Sequence, residues 1–294
     1  MSDRMHPMSF AELMTRILKG YHKTGHLLGV EPVSLVGREA IPIFGGKIET
    51  PFGPAAGPNT QLAGNIVAAY AAGARFFELK TVQKMDGEEL AKCVARPCIL
   101  AYDEGYNVEW STELTVVDAA AEYIRAWWAI KLLAKELALG DPDAFVFNMS
   151  VGYDLEGIKL PKIDNFLNTL KDASASDAWK ECADWVSVNL DQFQNVSEAY
   201  VRSISPHVSN NVTISTLHGC PPDEIERIAV HLISEKHLNT YVKCNPTLLG
   251  YKFVRETLDG LGFNNIQFPD LHYREDLQWE DAVPMFQRLK KLAA

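Results

Sequence analysis

Short apolar runs alternate with amphipathic segments along most of the chain. In the amphipathic segments apolar residues recur three and four positions apart, a spacing that predicts helices. The predicted helices cover residues 9–20, 63–72, 116–137, 163–204 with a break at 173–177, 222–233, 252–261 and 280–292. Thr115, with Asp118 three positions later, is the expected start signal of the helix at 116–137. The apolar runs predict a hairpin at 41–48 and strands at 51–57, 75–81, 144–150, 212–216, 240–244 and 265–268. This order predicts an α/β fold in which helices cover a parallel sheet.

Two α/β folds fit this alternation, a doubly wound sheet and a (β/α)8 barrel. A dinucleotide-binding sheet carries a G-x-G-x-x-G turn after its first strand, whereas residues 53–57 read GPAAG. The reactive side chains follow the carboxyl ends of the predicted strands, where barrels build their active sites. We therefore expect a TIM barrel over residues 41–294 and an N-terminal helical arm over residues 1–40. A full barrel has eight units and only about six are visible, so this one is expected to be truncated at its C-terminus.

Composition and charge narrow the possible function classes. With 47% apolar and 22% charged residues, the 294-residue chain has the composition of a globular protein. A net charge of −10, from 28 basic and 38 acidic residues, disfavours a nucleic-acid partner. Neither a membrane-spanning stretch nor a signal peptide is visible, so we expect a cytoplasmic protein without a membrane partner. The five cysteines form no C-x-x-C pair, and no metal site is expected within this chain.

Two lysines, Lys80 and Lys243, each end a predicted strand that is otherwise apolar or small. A lysine in that position needs an anion, a carboxylate or a ligand acceptor, because burying an unpaired ammonium group is costly. Two such lysines at one end of a barrel favour a ligand site. The alternative is that each lysine extends to the barrel rim and pairs there with an acidic side chain.

Cys220 lies between a predicted strand and the helix that starts at Pro222. The helix dipole at that position is expected to lower the thiol pKa, which favours a reactive or proton-transferring thiol that His218 assists. The alternative is a half-buried cysteine that packs beneath the start of the helix.

Asn148 ends the third predicted strand, and strand alternation places it on the same side as Ser150. An asparagine that points into a barrel suits hydrogen bonding to a heterocycle. The alternative is an asparagine that only caps the following loop.

Several motifs in this order resemble one group of flavoenzymes. They are TPFGPAAGP at 50–58, ELKTV at 78–82, DEGYN at 103–107, STLHGCPP at 215–222 and VKCNP at 242–246. Together they resemble the FMN-binding barrel of the dihydroorotate and dihydropyrimidine dehydrogenase group. Within that group, the chain is similar to the family named for selenate reductase subunits, which are large flavin and iron–sulfur oxidoreductases. The resemblance covers roughly residues 41–294.

The resemblance implies which residues contact FMN. The backbone of the small turn at 55–57, which is Ala55, Ala56 and Gly57, would lie against the isoalloxazine ring. Lys80 and Thr81 resemble the pair that contacts the flavin, and Asn148 is assigned to the cofactor with them. Lys243 resembles a lysine near the pyrimidine edge, where a positive charge stabilises the reduced flavin.

The resemblance also implies the catalytic and substrate residues. Cys220 corresponds to a cysteine that donates or accepts a proton at the substrate, and it is the expected catalytic residue. Thr216, His218 and Asn245 are assigned to the substrate.

The implied activity is FMN-dependent reduction or oxidation of a C=C or C=N bond in a small heterocycle. The family implies electron-transfer modules or subunits as partners, with 4Fe-4S clusters, FAD and NAD(P)H bound outside this chain. Two alternatives remain at this stage. One is a Schiff-base lyase or aldolase that uses Lys243 as the amine nucleophile, and the other is a scaffold that binds no cofactor.

Overall fold

The computed structural model describes residues 7–44, 46–93, 98–99, 106–107, 111–215 and 219–293. The α-helices are α1 (Phe10–Thr24), α2 (Ala63–Ala71), α3 (Gly87–Cys93), α4 (Val116–Glu136), α5 (Leu155–Ile158), α6 (Pro161–Lys171), α7 (Asp177–Val188), α8 (Glu198–Ser203), α9 (Pro222–Val230), α10 (Tyr251–Gly260), α11 (Leu271–Glu275) and α12 (Trp279–Ala293). The β-strands are β1 (Ile41–Ile43), β2 (Gly46–Ile48), β3 (Phe76–Glu78), β4 (Cys98–Ile99), β5 (Tyr106–Asn107), β6 (Val146–Gly152), β7 (Asn211–Ser215) and β8 (Asn239–Val242).

The central feature is a parallel sheet in the order β3-β6-β7-β8, which confirms the predicted α/β class with parallel strands. The predicted helices between these strands are present, and the structure adds two short ones that the sequence did not predict, α3 and α5. The predicted hairpin is also confirmed, since β1 and β2 pair antiparallel. The predicted break near 173–177 falls between α6 and α7, where the side chain of Ser176 caps α7.

One face of the sheet is apolar and packs against helices. Phe77 on β3 and Phe147 on β6 are neighbours in register, with ring centroids 5.5 Å apart. Trp127 of α4 covers them, 5.7 Å from the Phe147 ring. Thr115 caps α4 by accepting the N–H of Asp118 at 3.0 Å, as the sequence predicts. The opposite face of the sheet carries polar side chains.

The segment predicted as the first strand, 51–57, is irregular in the structure. It still follows the edge of β3, because Phe52 O accepts the N–H of Arg75 and Pro54 O accepts the N–H of Glu78, both at 3.1 Å. Prolines have no N–H to return to the sheet, so a regular ladder cannot form here. Gly53 is required by close approach, since a Cβ at this position would lie 1.5 Å from Phe76 O.

The predicted strand at 265–268 is wrong: this segment is irregular and mostly exposed. Backbone carbonyls in and near this segment accept hydrogen bonds from a neighbouring side chain and not from another strand. The guanidinium group of Arg255 donates to Phe263 O at 3.0 Å and to Ile266 O at 2.5 Å. These carbonyls are therefore satisfied without a strand partner.

A buried ion pair closes the amino-terminal end of the sheet. Arg75 Nε lies 2.9 Å from Glu49 Oε2, and the two side chains are 0% and 2% exposed. Arg75 also donates to three backbone carbonyls, those of Tyr70, Ala74 and Leu139. Gly140 makes room for the carboxylate, since a Cβ there would lie 2.3 Å from Glu49 Oε2.

The N-terminal helix α1 packs its apolar face into the core. Phe10 is fully buried, and its ring meets that of Trp185 edge-on at 5.4 Å. Its backbone N–H donates to Glu181 Oε1 at 2.7 Å. Helix α7, which carries Trp185 and Glu181, therefore holds α1 by apolar and polar contacts together.

Candidate functional site

The polar face of the sheet collects side chains from three adjacent strands. The register places Glu78 of β3 opposite Asn148 of β6, and Ser150 of β6 opposite Thr213 of β7. Since residues opposite each other in parallel strands point to the same face, these four side chains share the face away from Phe77. Asn148 Nδ2 donates to Thr213 Oγ1 at 2.6 Å. The predicted placement of Asn148 and Ser150 on one side is confirmed.

A β-bulge interrupts the pairing of β3 with β6. Glu78 pairs with Asn148, whereas Val82 pairs with Val151. Four positions on one chain therefore match three on the other, and one extra residue stands within 79–81. Bulges redirect side chains next to active sites.

The bulge contains the Lys80 and Thr81 pair that the sequence singled out. Both residues are buried, each with 2% of its surface exposed. Thr81 Oγ1 lies 2.8 Å from Ser150 Oγ, which places the threonine on the polar face. The lysine expected at a strand end is thus buried within the bulge.

The small turn at 55–57 lies at the carboxyl end of β3. The N–H of Ala56 donates to Glu78 Oε2 at 3.3 Å, and the N–H of Gly57 donates to Thr60 Oγ1 at 3.1 Å. Ala55 is exposed, and the other two turn residues are half-buried. The turn that the resemblance assigns to the flavin is therefore fixed beside the polar face.

A second group of predicted residues meets at the ends of β7 and β8. Cys220, Lys243 and Asn245 line one cleft together with Asp276. Lys243 is exposed, whereas Cys220 and Asn245 are half-buried. The remaining predicted substrate residues, Thr216 and His218, lie outside the described residues.

Asp276, at the end of α11, connects the two loops of this cleft. Its side chain is 5% exposed. Its Oδ1 accepts the N–H of Gly219 at 2.8 Å, and its Oδ2 accepts Thr247 Oγ1 at 2.6 Å and Asn245 Nδ2 at 3.3 Å. Sequence reasoning missed this residue, because it follows no predicted strand and nothing distinguishes it from its acidic neighbours.

The electrostatics of Cys220 differ from the sequence-based expectation. Its pKa is raised to about 11, first by burial and then by the negative charges of Glu224, Asp223 and Asp154. The expected lowering of the pKa by the helix dipole is therefore wrong, because burial and then three carboxylates favour the protonated thiol. The thiol is protonated at neutral pH, which suits a proton donor better than a nucleophile.

Removal of the Asp276 carboxylate should loosen both loops of the cleft. In Asp276→Ala, the amide of Gly219 loses a charge-assisted hydrogen bond worth about 1.5–3 kcal/mol. We expect its hydrogen exchange to become roughly 10- to 100-fold faster, with increased exchange also around Thr247. Asp270→Ala serves as the control, because Asp270 is half-exposed and pairs with Arg274 of the adjoining helix α11. Equal exchange at Gly219 in both variants would contradict the role of Asp276.

Buried polar atoms without hydrogen-bond partners in the described ranges lie at and near the polar face. Among the residues described, no group of three His, Cys, Asp or Glu side chains is arranged to hold a metal. Two atoms buried near the bulge, Asn148 Oδ1 and Gln61 Nε2, have no hydrogen-bond partner in the described part of the chain. Gln61 directly follows Thr60, and the carbonyl of Thr60 accepts the N–H of Lys80 in the bulge at 3.1 Å. One buried acceptor and one buried donor are therefore available to a polar ligand.

The chain matches one protein-family model and two curated relatives. Residues 31–294 match a family model described as "Oxidoreductase YgfK, N-terminal TIM-barrel domain". Two curated relatives, from Escherichia coli strain K12 and from Escherichia coli O157:H7, are named "Putative oxidoreductase YgfK". Each is 42% identical over 308 residues, which cover 100% of this chain and 30% of the relative. No solved structure matches the chain.

These matches confirm the TIM-barrel class predicted from the sequence. The chain spans 30% of the length of the curated relatives, so most of each relative has no counterpart in this chain. None of the helices in the described ranges is long and apolar enough to cross a membrane.

Proposed function

Since the chain belongs to the family of N-terminal TIM-barrel domains of oxidoreductase YgfK, we propose that it is the FMN-binding barrel of a flavin-dependent oxidoreductase. Its substrate is a small heterocycle with a reducible C=C or C=N bond. One observation carries the proposal: buried polar atoms without partners, Asn148 Oδ1 and Gln61 Nε2, lie beside the bulge that holds Lys80 and Thr81.

The residues that would hold FMN lie along the carboxyl ends of β3 and β6. The turn at 55–57 would present its backbone to the ring, while Lys80, Thr81 and Asn148 supply polar contacts from the sheet. When bound, FMN supplies hydride transfer at its N5 atom. The hydrogen bond of Thr81 to Ser150 fixes the threonine before any ligand arrives, which lowers the cost of ordering it on binding.

The cleft at the ends of β7 and β8 supplies the proton and the charge. Cys220 keeps its proton at neutral pH and delivers it to the substrate as a general acid. Lys243 places a positive charge at the cleft, where it stabilises negative charge on the reduced cofactor. Asp276 orients the loops that carry both residues, because it accepts the N–H of Gly219 and the amide of Asn245.

The remainder of the enzyme supplies the electrons. Because the curated relatives are more than three times as long as the matched region, we assign 4Fe-4S clusters, FAD and NAD(P)H binding to modules or subunits outside this chain. The protein is proposed to work in the cytoplasm, and its partners are the small-molecule substrate and those electron-transfer modules.

Substitution of Lys243 tests the assigned charge. In the full-length protein, Lys243→Met should lower the flavin midpoint potential by on the order of 30–80 mV, because the anionic reduced form loses a nearby positive charge. Redox titration of the bound flavin measures this shift. Lys252→Met is the control, since Lys252 is 87% exposed on α10 and should leave the potential unchanged.

Lys243 also distinguishes the proposed flavoenzyme from a Schiff-base lyase. If Lys243 formed an imine with the substrate, borohydride would trap a covalent adduct on this residue in the wild-type protein. We expect no adduct. An adduct on Lys243 together with an unchanged flavin potential in Lys243→Met would contradict the proposed role.

A further inference from the structure

Glu78 ends β3 on the polar face and has one carboxylate oxygen without a partner. Its Oε2 accepts the N–H of Ala56 at 3.3 Å. Its Oε1 is buried and accepts no hydrogen bond from any residue in the described ranges. A buried acceptor without a donor destabilises a protein, so it persists where a ligand brings the donor.

A second unpartnered acceptor lies directly across the sheet. Asn148 is the register partner of Glu78, and it is 1% exposed. Its Nδ2 donates to Thr213, which leaves Oδ1 buried without a partner among the described residues. Since adjacent strands lie about 4.8 Å apart, the two acceptors stand side by side on one face.

We propose that Glu78 Oε1 and Asn148 Oδ1 form an acceptor subsite for hydrogen-bond donors of the bound flavin. The donors are the ring N–H or the ribityl hydroxyls, which share the same chemistry. The inference rests on the proposed function and adds Glu78 to the site. The motif resemblance assigned no role to this residue.

The chemistry of Glu78 supports a ligand role over a purely structural one. Holding the N–H of Ala56 takes one oxygen, and a glutamine would do this equally well. The second carboxylate oxygen makes a difference only when a donor faces it, because hydrogen bonds to a charged acceptor are the stronger ones. A carboxylate on a strand that is otherwise apolar and aromatic, Phe76–Glu78, therefore points to recognition of a ligand.

The test compares flavin affinity with the stability of the flavin-free protein. In Glu78→Gln, the amide oxygen keeps the bond to Ala56 and the NH2 group turns toward the ligand donor. The probes are FMN and lumiflavin, which lacks the ribityl chain, titrated by fluorescence into the full chain stripped of flavin. We expect Kd for FMN to rise roughly 10- to 100-fold, while the flavin-free Tm stays the same or increases. Glu31→Gln, at an exposed position, should change neither quantity.

The lumiflavin titration distinguishes the two donors. A parallel loss of lumiflavin affinity assigns the subsite to the ring N–H, and a loss confined to FMN assigns it to the ribityl hydroxyls. If the glutamine variant does not fold, Glu78→Met, which removes both carboxylate oxygens, takes its place in the comparison of FMN and lumiflavin affinities.

An unchanged Kd in the Glu78 variants, with wild-type FMN binding intact, would overturn the subsite and leave the proposed function standing. A wild-type protein that binds no FMN would overturn both.

Discussion

Replacement of Cys220 by serine should lower substrate turnover by roughly 10²-fold or more, the usual scale for the loss of a general acid. The physical reason lies in the thiol pKa, which burial and three nearby carboxylates raise to about 11. At neutral pH the thiol is protonated and can still release its proton to a reacting carbon or nitrogen. A serine hydroxyl occupies nearly the same space, but its pKa is several units higher and it is a much poorer donor.

The two half-reactions separate this role from a packing defect. Rapid mixing with the electron donor measures flavin reduction, and rapid mixing of the reduced protein with substrate measures the second half-reaction. We expect the loss in the second half-reaction alone, because reduction of the flavin does not need the Cys220 proton. Equal losses in both would indicate a folding defect, and no loss in either would leave Cys220 a structural residue. Cys244→Ser is the matched control, since this thiol lines the same cleft and has no assigned role.

Replacement of Arg75 by methionine should destabilise the fold by about 3–5 kcal/mol. The guanidinium group is fully buried, pairs with Glu49 at 2.9 Å and donates to three backbone carbonyls. Its removal leaves a buried carboxylate uncompensated and several acceptors unpaired. Because the pair lies at the amino-terminal end of the strands, away from the candidate site, the loss should fall on stability and not on chemistry.

Urea denaturation followed by tryptophan fluorescence measures this loss. Arg288→Met is the matched control, because Arg288 pairs with Glu226 on the surface at 58% exposure and such pairs contribute about 0–1 kcal/mol. The double variant Arg75→Met/Glu49→Leu should recover part of the stability, since it removes the unpaired charge. A loss in Arg75→Met no larger than that in Arg288→Met would contradict the account.

Local signals in the sequence were sufficient for much of the fold. The Thr115 cap with Asp118 located the start of α4, and strand alternation placed Asn148 and Ser150 on one side. These predictions succeed because they depend on neighbours a few residues apart. The motifs near Cys220 and Lys243 also located the cleft that brings these two residues together.

Features that depend on distant contacts could not be predicted. The bulge at 79–81 arises from the register between β3 and β6, which no local pattern encodes. Asp276 joins the cleft through three hydrogen bonds to loops 29 to 57 positions away. The raised pKa of Cys220 follows first from burial and then from carboxylates of α9 and of the loop before α5, whereas the helix dipole alone predicted a lowered pKa.

The most direct test of the central claim is whether the protein holds FMN. The full-length protein is purified without added cofactor, its visible absorption spectrum is recorded, and the ligand released by denaturation is identified by chromatography. We expect flavin absorption bands and release of FMN from this domain, with binding weakened by substitution of Lys80 or Asn148. A protein without flavin bands that also fails to bind added FMN would contradict it.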